Sequence, residues 1–173
     1  MPASLGFGID TSNPGRVIYN EGVHVGYRYY ESFDIPVAFP FGHGLSYTLF
    51  EYINLIVSPV SVMGDFEVKV DVKNTGGLAG KEVVQVYIKD LVSSCIRPAL
   101  ELKGYTKLSL EPGQTKTATI KLDKHALKFF DERRNHWVAE QGQFEVLVGS
   151  TLKSLTHKAV TNLERTLTWV VES

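Results

Sequence analysis

The sequence is poor in the features that mark disulfide-rich, membrane-spanning and nucleic-acid-binding proteins. It has a single cysteine, Cys95, among 173 residues, so no disulfide can form within the chain. It has no run of about eighteen apolar residues, the length that a membrane-spanning helix needs. The formal charge of −1 leaves no basic excess for binding DNA, RNA or an anionic membrane. We therefore expect neither a nucleic-acid nor a membrane partner.

The sequence also lacks a recognisable site for a metal, a cofactor or a nucleophile. Its five histidines show no paired spacing of metal ligands. Cys95 lies in a serine-rich loop without an activating partner, and the Gly42-His43-Gly44 run lacks the lysine of a phosphate-binding loop. We therefore expect no metal and no cofactor. The first four residues do not resemble a signal peptide, so secreted and intracellular locations both stay open.

Aromatic residues are concentrated in one stretch, residues 19–48, which also contains four glycines. Each buried ring removes about 150–250 Å² from water, so the stretch is suited to packing against a surface. Whether that surface lies within this chain is left open by the sequence. Residues 22–32 fit either a helix or a strand, and residues 35–44 are expected to form an extended loop. The aromatic residues are Tyr19, Tyr27, Tyr29, Tyr30, Phe33, Phe39, Phe41 and Tyr47.

From residue 49 onwards the sequence alternates between apolar and polar residues, as β-strands do. Residues 50–57 form the first predicted strand, and Phe66, Val68, Val70 and Val72 share one face of the second. Residues 82–89 form a third, with Gln85 and Tyr87 on the face opposite Val84, Val86 and Ile88. About seven short strands with regular turn signals predict an antiparallel β-sandwich of the immunoglobulin or fibronectin III type.

Several local features refine this all-β prediction. Asn74 begins a predicted turn, Asp123 is expected to cap a short helical turn, and residues 129–139 are expected to form a hairpin. Residues 1–18 are rich in turn formers and predict an irregular lead with a short strand at 17–19. The tail, residues 161–171, is left open between a last strand and a helix.

Two groups of motifs then resemble family 3 glycoside hydrolases, in particular β-glucosidases. The first group, which resembles the end of the second domain of that family, consists of YNEG at 19–22, VGYRYY at 25–30 and FPFGHGLSYT at 39–48. The second group resembles the fibronectin type III-like domain that follows it. Its motifs are VDVKNTG at 70–76, GKEVVQVY at 80–87, Arg97-Pro98, ELKGY at 101–105, LEPGQ at 110–114 and FEVLVG at 144–149.

The resemblance implies a division at residue 48, with residues 1–48 the remnant of the second enzyme domain and residues 49–173 the sandwich. It also implies that the catalytic nucleophile and the acid/base residue belong to domains absent from this chain. We therefore expect a non-catalytic accessory region of an enzyme that hydrolyses terminal β-D-glucosyl residues. Its partners would be the upstream domains, and an exposed aromatic stretch would also favour self-association.

The candidate interface residues all come from the aromatic stretch. Glu21 and Arg28 are expected to form a structural ion pair or a polar contact with substrate, since a charged pair among aromatics needs a partner. The strand and turn carboxylates, including Glu101, are expected to be solvated. The interface candidates are Tyr19, Glu21, Tyr27, Arg28, Tyr30, Phe39, Phe41 and Tyr47.

Two alternative functions stay open. Tyr105 and Trp137 could stack on sugar rings if they are exposed, which would make the chain a module for binding polysaccharide or lignin. Trp137, Phe129 and Phe130 also suit a sandwich core or an interface, which we expect more strongly. The loop at residues 35–44 could instead shape the active site of the parent enzyme.

Overall fold

The computed structural model describes the backbone of residues 8–9 and 17–18 and all of residues 21–170. Within these residues no helix is long and apolar enough to cross a membrane. The two helices are α1 (Tyr27–Ser32) and α2 (Lys124–Leu127), and a single 3₁₀ turn spans Leu152–Ser154. The strands are β1 (Gly8–Ile9), β2 (Val17–Ile18), β3 (Phe50–Val57), β4 (Phe66–Asn74), β5 (Gly80–Asp90), β6 (Glu101–Leu110), β7 (Thr115–Leu122), β8 (Phe129–Asp131), β9 (His136–Ala139), β10 (Gly142–Gly149), β11 (His157–Leu163) and β12 (Leu167–Val170).

Two antiparallel sheets form the sandwich. One has the strand order β11-β10-β5-β6 and the other the order β3-β4-β7. A smaller three-stranded sheet, β12-β9-β8, adds the predicted hairpin and the last strand. The predicted all-β sandwich is therefore confirmed. The tail forms strands and not a helix, because its apolar residues alternate and pair in register with β10 and β9.

The core lies where the alternation of the sequence places it. Val68, Val70 and Val72 of β4 have no exposed surface, and they face Val84 and Val86 of β5 across the sandwich core. Strand β3 has the bounds that the sequence predicts, residues 50–57. Period-2 alternation located β4, because one of its faces is buried and the other is in contact with water.

Strand β5 departs from simple alternation because both of its faces are covered. Gln85 is 6% exposed and Tyr87 is not exposed at all, although they lie opposite the core valines. The covering material comes from the aromatic stretch: Tyr27 packs edge-on against Tyr87, with ring centroids 6.1 Å apart. The sequence left open which surface the aromatic stretch packs against. Part of that surface is the outer face of this chain's own sheet.

Asn74 corrects the turn predicted at its position. It ends β4, has no exposed surface and does not adopt a positive φ angle. Its side-chain amide donates to the carbonyl oxygens of Leu78 and Leu110, at 2.8 and 3.1 Å. Its side-chain oxygen accepts from the Thr48 hydroxyl at 2.6 Å and from the Gly76 amide at 3.1 Å. Asn74 thus joins the end of the aromatic stretch to the sandwich.

The other local predictions have mixed outcomes. Asp123 caps α2 by accepting from the backbone amide of His125 at 2.8 Å, as predicted. In the lead, β2 lies within the strand predicted at 17–19, and its pairing with β1 makes residues 8–9 more regular than expected. Tyr19 lies outside the described residues. The division at residue 48 stays a prediction; β3 begins at Phe50, and Thr48 just before it is hydrogen-bonded to Asn74 of the sandwich.

We predict that replacing Asn74 with leucine lowers the free energy of unfolding by at least about 3 kcal/mol. The change keeps the volume but leaves two donors and two acceptors without partners, each costing about 1–3 kcal/mol when buried. Urea unfolding followed by circular dichroism measures it. Asn162→Leu is the matched control, because Asn162 is exposed on β11. Similar losses in both variants would contradict the role given to Asn74.

Candidate functional site

The candidate site is the aromatic segment, defined here as residues 21–48. It begins with a turn, forms α1 and continues as an irregular chain to β3. The structure selects the helix from the two alternatives for residues 22–32, over the shorter range Tyr27–Ser32. Asp34, with a φ angle of 50°, and Pro36 follow the helix and prevent its continuation.

Helix α1 is fastened to the start of β6 by side-chain hydrogen bonds. The Tyr27 hydroxyl accepts from the backbone amide of Leu102 at 2.8 Å. The Ser32 hydroxyl accepts from the backbone amide of Ala99 at 2.9 Å. The ring of Tyr27 also packs on Phe41, with centroids 4.9 Å apart. Tyr27 thus faces this chain's own sandwich and is only half-buried.

Arg28 contacts Glu101 and not Glu21. Its guanidinium Nη2 lies 3.5 Å from Glu101 Oε1, whereas no salt bridge joins it to Glu21 within residues 21–170. Glu21 is half-buried. The expected pairing of Glu21 with Arg28 is therefore wrong, because the helix turns Arg28 towards β6.

Glu101 corrects the expectation of a solvated strand carboxylate. Glu101 is 9% exposed, and three cationic groups surround its carboxylate. Arg97 Nη2 lies 2.8 Å from Glu101 Oε2, and Lys103 Nζ lies 3.2 Å from Oε1, with Arg28 as the third cation. Arg97 also pairs with Asp90 at 2.8 Å, and both of these side chains are less than a tenth exposed.

The charges in this cluster shift one another's titration. Burial opposes the ionisation of Glu101, but Lys103 and Arg97 outweigh it and hold the pKa of Glu101 below its usual value. Burial lowers the pKa of Lys103, and the attraction of Glu101 only partly offsets this. Arg97 further donates to the carbonyl oxygens of Leu127 and Lys128, at 2.9 and 3.2 Å. The cluster therefore joins α1, β5, β6 and the α2 region.

The loop that follows α1 is held on the outer face of β5 by a glycine. Gly42 has a φ angle of +83°, and a side chain there would collide with the amide of Gln85 and the carbonyl oxygen of Ser150. Gln85 is itself fixed, since its amide nitrogen donates to Ser150 and its oxygen accepts from the Tyr87 hydroxyl. The carbonyl oxygen of Phe41 accepts from the amide of Leu152 at 3.1 Å. The backbone of the loop is therefore held against the sandwich.

The opposite side of the segment is apolar and exposed. We define the docking strip as Leu45, Tyr47 and Leu49, whose side chains are 97%, 97% and 70% exposed. Thr48 lies between two of them and is 6% exposed, because its hydroxyl binds Asn74. Of the remaining interface candidates, Phe39 is 72% exposed, Phe41 is 46% exposed and Tyr30 is half-buried.

The two candidates for sugar stacking differ in how open their rings are. Tyr105 is 71% exposed and borders a groove of about 510 Å³ that Glu82 and Ser150 also line. Trp137 is half-buried, with Lys128 Nζ 3.7 Å above its ring and Phe130 5.1 Å away. One face of Trp137 is thus already covered by an ammonium group.

The aromatic residues of β8 and β9 do not lie in the core of the sandwich. Trp137 lies opposite Trp169 in the small sheet, and Phe130 is 36% exposed. They pack beside the sandwich and not between its two main sheets. Phe129 is half-buried and lies 5.8 Å from the Arg97 guanidinium carbon.

No constellation for metal binding occurs in the described part of the chain. Residues 21–170 contain no group of three or more His, Cys, Asp or Glu side chains that could hold a metal ion. Cys95 is exposed in its loop. Glu82 is a further partly buried carboxylate: burial raises its pKa, although Tyr52 donates a hydrogen bond to it at 2.8 Å.

The residues that sequence reasoning missed are polar groups that hold the segment in place. Gln85, Asn74, Glu101 and Lys103 all lie on strands, where alternation gives only the face and not what covers that face. One signal was available for Glu101, since Arg97 precedes it by four residues and Lys103 follows it by two. Two cations so close to one strand carboxylate favour a buried ion cluster.

Parts of known enzymes resemble this chain in sequence and structure. A family profile described as a fibronectin type III-like domain matches residues 82–151. The thermostable β-glucosidase B of Acetivibrio thermocellus is 45% identical over 154 residues, which are 88% of this chain and 20% of that protein. The β-glucosidase of Kluyveromyces marxianus, solved in complex with glucose, has a TM-score of 0.84 at 45% identity, over 91% of this chain and 19% of that one.

The GH3 β-glucosidase of Bifidobacterium adolescentis is a further structural neighbour, with a TM-score of 0.85 at 36% identity. The match covers 90% of this chain and 23% of that one. This chain therefore spans about a fifth of the length of the curated relatives that it matches.

We predict that Glu101→Gln lowers the free energy of unfolding by about 3 kcal/mol at pH 7, because it leaves buried cations without their carboxylate. The native pKa of Glu101 lies below its usual 4.5, so its contribution is complete above pH 4.5. It is lost as the pH falls through the lower native value. Urea unfolding from pH 7 to pH 3 should show the gap between wild type and variant closing.

The matched control is Glu145→Gln, since Glu145 is also a strand glutamate but pairs with the exposed Lys158 at 3.7 Å. Its effect should stay below about 1 kcal/mol, as for surface pairs. A gap for Glu101→Gln that does not change with pH would contradict the titration argument.

Proposed function

The chain belongs to the fibronectin type III-like part of family 3 glycoside hydrolases, and we propose that it is an accessory region that positions the catalytic part of a β-glucosidase. The catalytic domains of the relatives lie outside the fifth of their length that this chain matches. The whole enzyme would hydrolyse terminal β-D-glucosyl residues, the activity of the β-glucosidases that it resembles. The chain itself would not hydrolyse an aryl β-glucoside.

The observation that carries this proposal is the docking strip. Leu45 and Tyr47 are almost fully exposed, yet the backbone that bears them is fixed by Thr48 and Gly42. Exposed contiguous apolar side chains mark interaction sites in soluble proteins. A rigid backbone lowers the entropy that is lost when such a surface is covered. The strip is therefore prepared for a partner.

The partner that fits best is the remainder of the same β-glucosidase chain. Residues 39–49 contain no Asp, Glu, Lys or Arg, and they include three aromatic residues. A charge-free, aromatic surface is typical of the core of a permanent interface. The relatives are about five times as long as the segment that matches this chain, so they supply ample chain to cover the strip.

We predict that Tyr47→Ala weakens docking without weakening the fold of the isolated chain. The test exchanges the matching segment of the Kluyveromyces marxianus β-glucosidase for this chain and measures thermal unfolding and hydrolysis of an aryl β-glucoside. Removing an interface anchor should cost about 2 kcal/mol in the chimaera. In the isolated chain, where Tyr47 is exposed, it should cost less than about 0.5 kcal/mol.

Tyr105→Ala is the matched control, because Tyr105 is also an exposed tyrosine but lies on β6. Equal losses for both variants in the chimaera would sink the docking proposal. Sedimentation of the isolated chain gives a second readout. Self-association that Tyr47→Ala abolishes would support an exposed interface at the strip, whereas a clean monomer at high concentration would count against self-association.

Polysaccharide binding is a second candidate function, favoured by the exposure of Tyr105. Its ring is open beside a groove that Lys81 and Glu82 also line, and these offer polar groups for sugar hydroxyls. Trp137 is a poorer candidate, because Lys128 covers one of its faces. A role for loop 35–44 at the parent's active site also stays a prediction. The exposure of Phe39, whose side chain lies in this loop and is 72% exposed, supports it.

If the second candidate is right, the chain should be retained on insoluble cellulose, xylan or lignin, and Tyr105→Ala should release it. Loss of one stacking ring should weaken retention about tenfold, by analogy with the roughly 1–3 kcal/mol of other aromatic stacking contacts. Trp137→Ala should have a smaller effect. Protein that stays entirely in the supernatant would exclude this function.

A further inference from the structure

A small pocket between α1 and the following loop has aromatic walls and one acidic group. It has a volume of about 220 Å³ and is lined by Tyr27, Tyr30, Phe39 and Phe41, with Glu31 beside them. Pockets for drug-sized ligands measure about 300–1,000 Å³, so this one suits a small group or a single side chain. We call it the aromatic box.

Contacts with the sandwich hold two walls of the aromatic box in place. Tyr27 and Phe41 are in contact, with ring centroids 4.9 Å apart, and form one continuous wall. Tyr27 is fixed by its hydrogen bond with Leu102, and the backbone of Phe41 by its hydrogen bond with Leu152. Leu152, 8% exposed, also lines the pocket. These contacts fix two of the four walls before any ligand binds.

The chemistry of the lining favours a cation. The faces of aromatic rings carry partial negative charge and attract ammonium and guanidinium groups. Glu31 adds a full negative charge, and no Lys, Arg or His lines the pocket. The charge of Glu31 also affects the buried Tyr87. Burial is the main cause of the raised pKa of Tyr87, and the neighbouring Tyr27 and Glu31 raise it further.

We propose that the aromatic box receives a cationic side chain, an arginine or a lysine, from the remainder of the β-glucosidase. This inference rests on the proposed function, because it names the chemistry by which the catalytic part recognises this segment. Arginine is enriched in interface cores, where its planar group stacks on rings and pairs with carboxylates. The docking strip would supply apolar contact area, and the box would fix the register.

The test titrates the chain with methylguanidinium chloride and, separately, with N-methylurea, which has nearly the same shape but no charge. Backbone amide shifts of residues 26–41, recorded by NMR at constant ionic strength, report binding. Methylguanidinium should bind about tenfold more tightly than N-methylurea, as cation–π contacts combined with a carboxylate imply. Glu31→Gln should remove most of that difference.

Glu111→Gln is the matched control, because Glu111 is exposed in the turn between β6 and β7. It should leave both titrations unchanged. Equal binding of the two probes would show an apolar pocket without preference for charge and would overturn the inference. Absence of shifts in residues 26–41, or a preference for the cation that Glu31→Gln leaves undiminished, would also overturn it.

The two proposals fail separately. The probe titration uses the isolated chain, so its outcome does not depend on docking. If Tyr47→Ala weakens the chimaera but methylguanidinium shows no preference, docking stands and the cationic contact is wrong. If the cation binds but Tyr47→Ala has no effect in the chimaera, the box binds cations and the docking proposal fails.

Discussion

Tyr87 lies in the middle of β5 on the face that points away from the sandwich core, and its large ring must be covered there. The aromatic segment provides this cover through Tyr27 and the loop around Gly42. An exposed tyrosine at this position would leave a large apolar area in water. Tyr87 also positions the oxygen of Gln85, whose amide holds Ser150. The position of the segment therefore follows from the need to bury one ring and its hydrogen-bonding partner.

The charged cluster secures the other end of the same contact. Arg28 brings a third cation to Glu101, which Arg97 and Lys103 already neutralise. Removing one partner from a buried ion cluster strongly destabilises a protein. Replacing the whole cluster with well-packed apolar residues is often neutral, so the cluster contributes little net stability. Here the cluster serves to orient helix α1. The pairing fixes the rotation of a helix of only six residues, which is too short to be stable by itself.

Much of the fold could be predicted because the sandwich obeys one rule. Strands β4 and β7 each bury one face, so the period-2 pattern of their sequences shows which side chains enter the core. The site could be predicted only in part. Alternation cannot tell that a second layer covers Gln85 and Tyr87, or that Asn74 lies inside the protein. Such facts depend on contacts between residues far apart in sequence, such as Tyr27 with Leu102.

The aromatic segment has two sides with different physical demands, and this explains its composition. Its inward side needs rings, glycine and hydrogen-bonding groups that match a fixed sheet, which Tyr27, Gly42 and Thr48 provide. Its outward side carries Leu45 and Tyr47 on a backbone that cannot turn them away from water. A free chain would gain by folding such residues inwards, but the inner anchors forbid it. The exposed strip is thus a consequence of how firmly the inner side is held, and a partner surface is the remaining way to remove it from water.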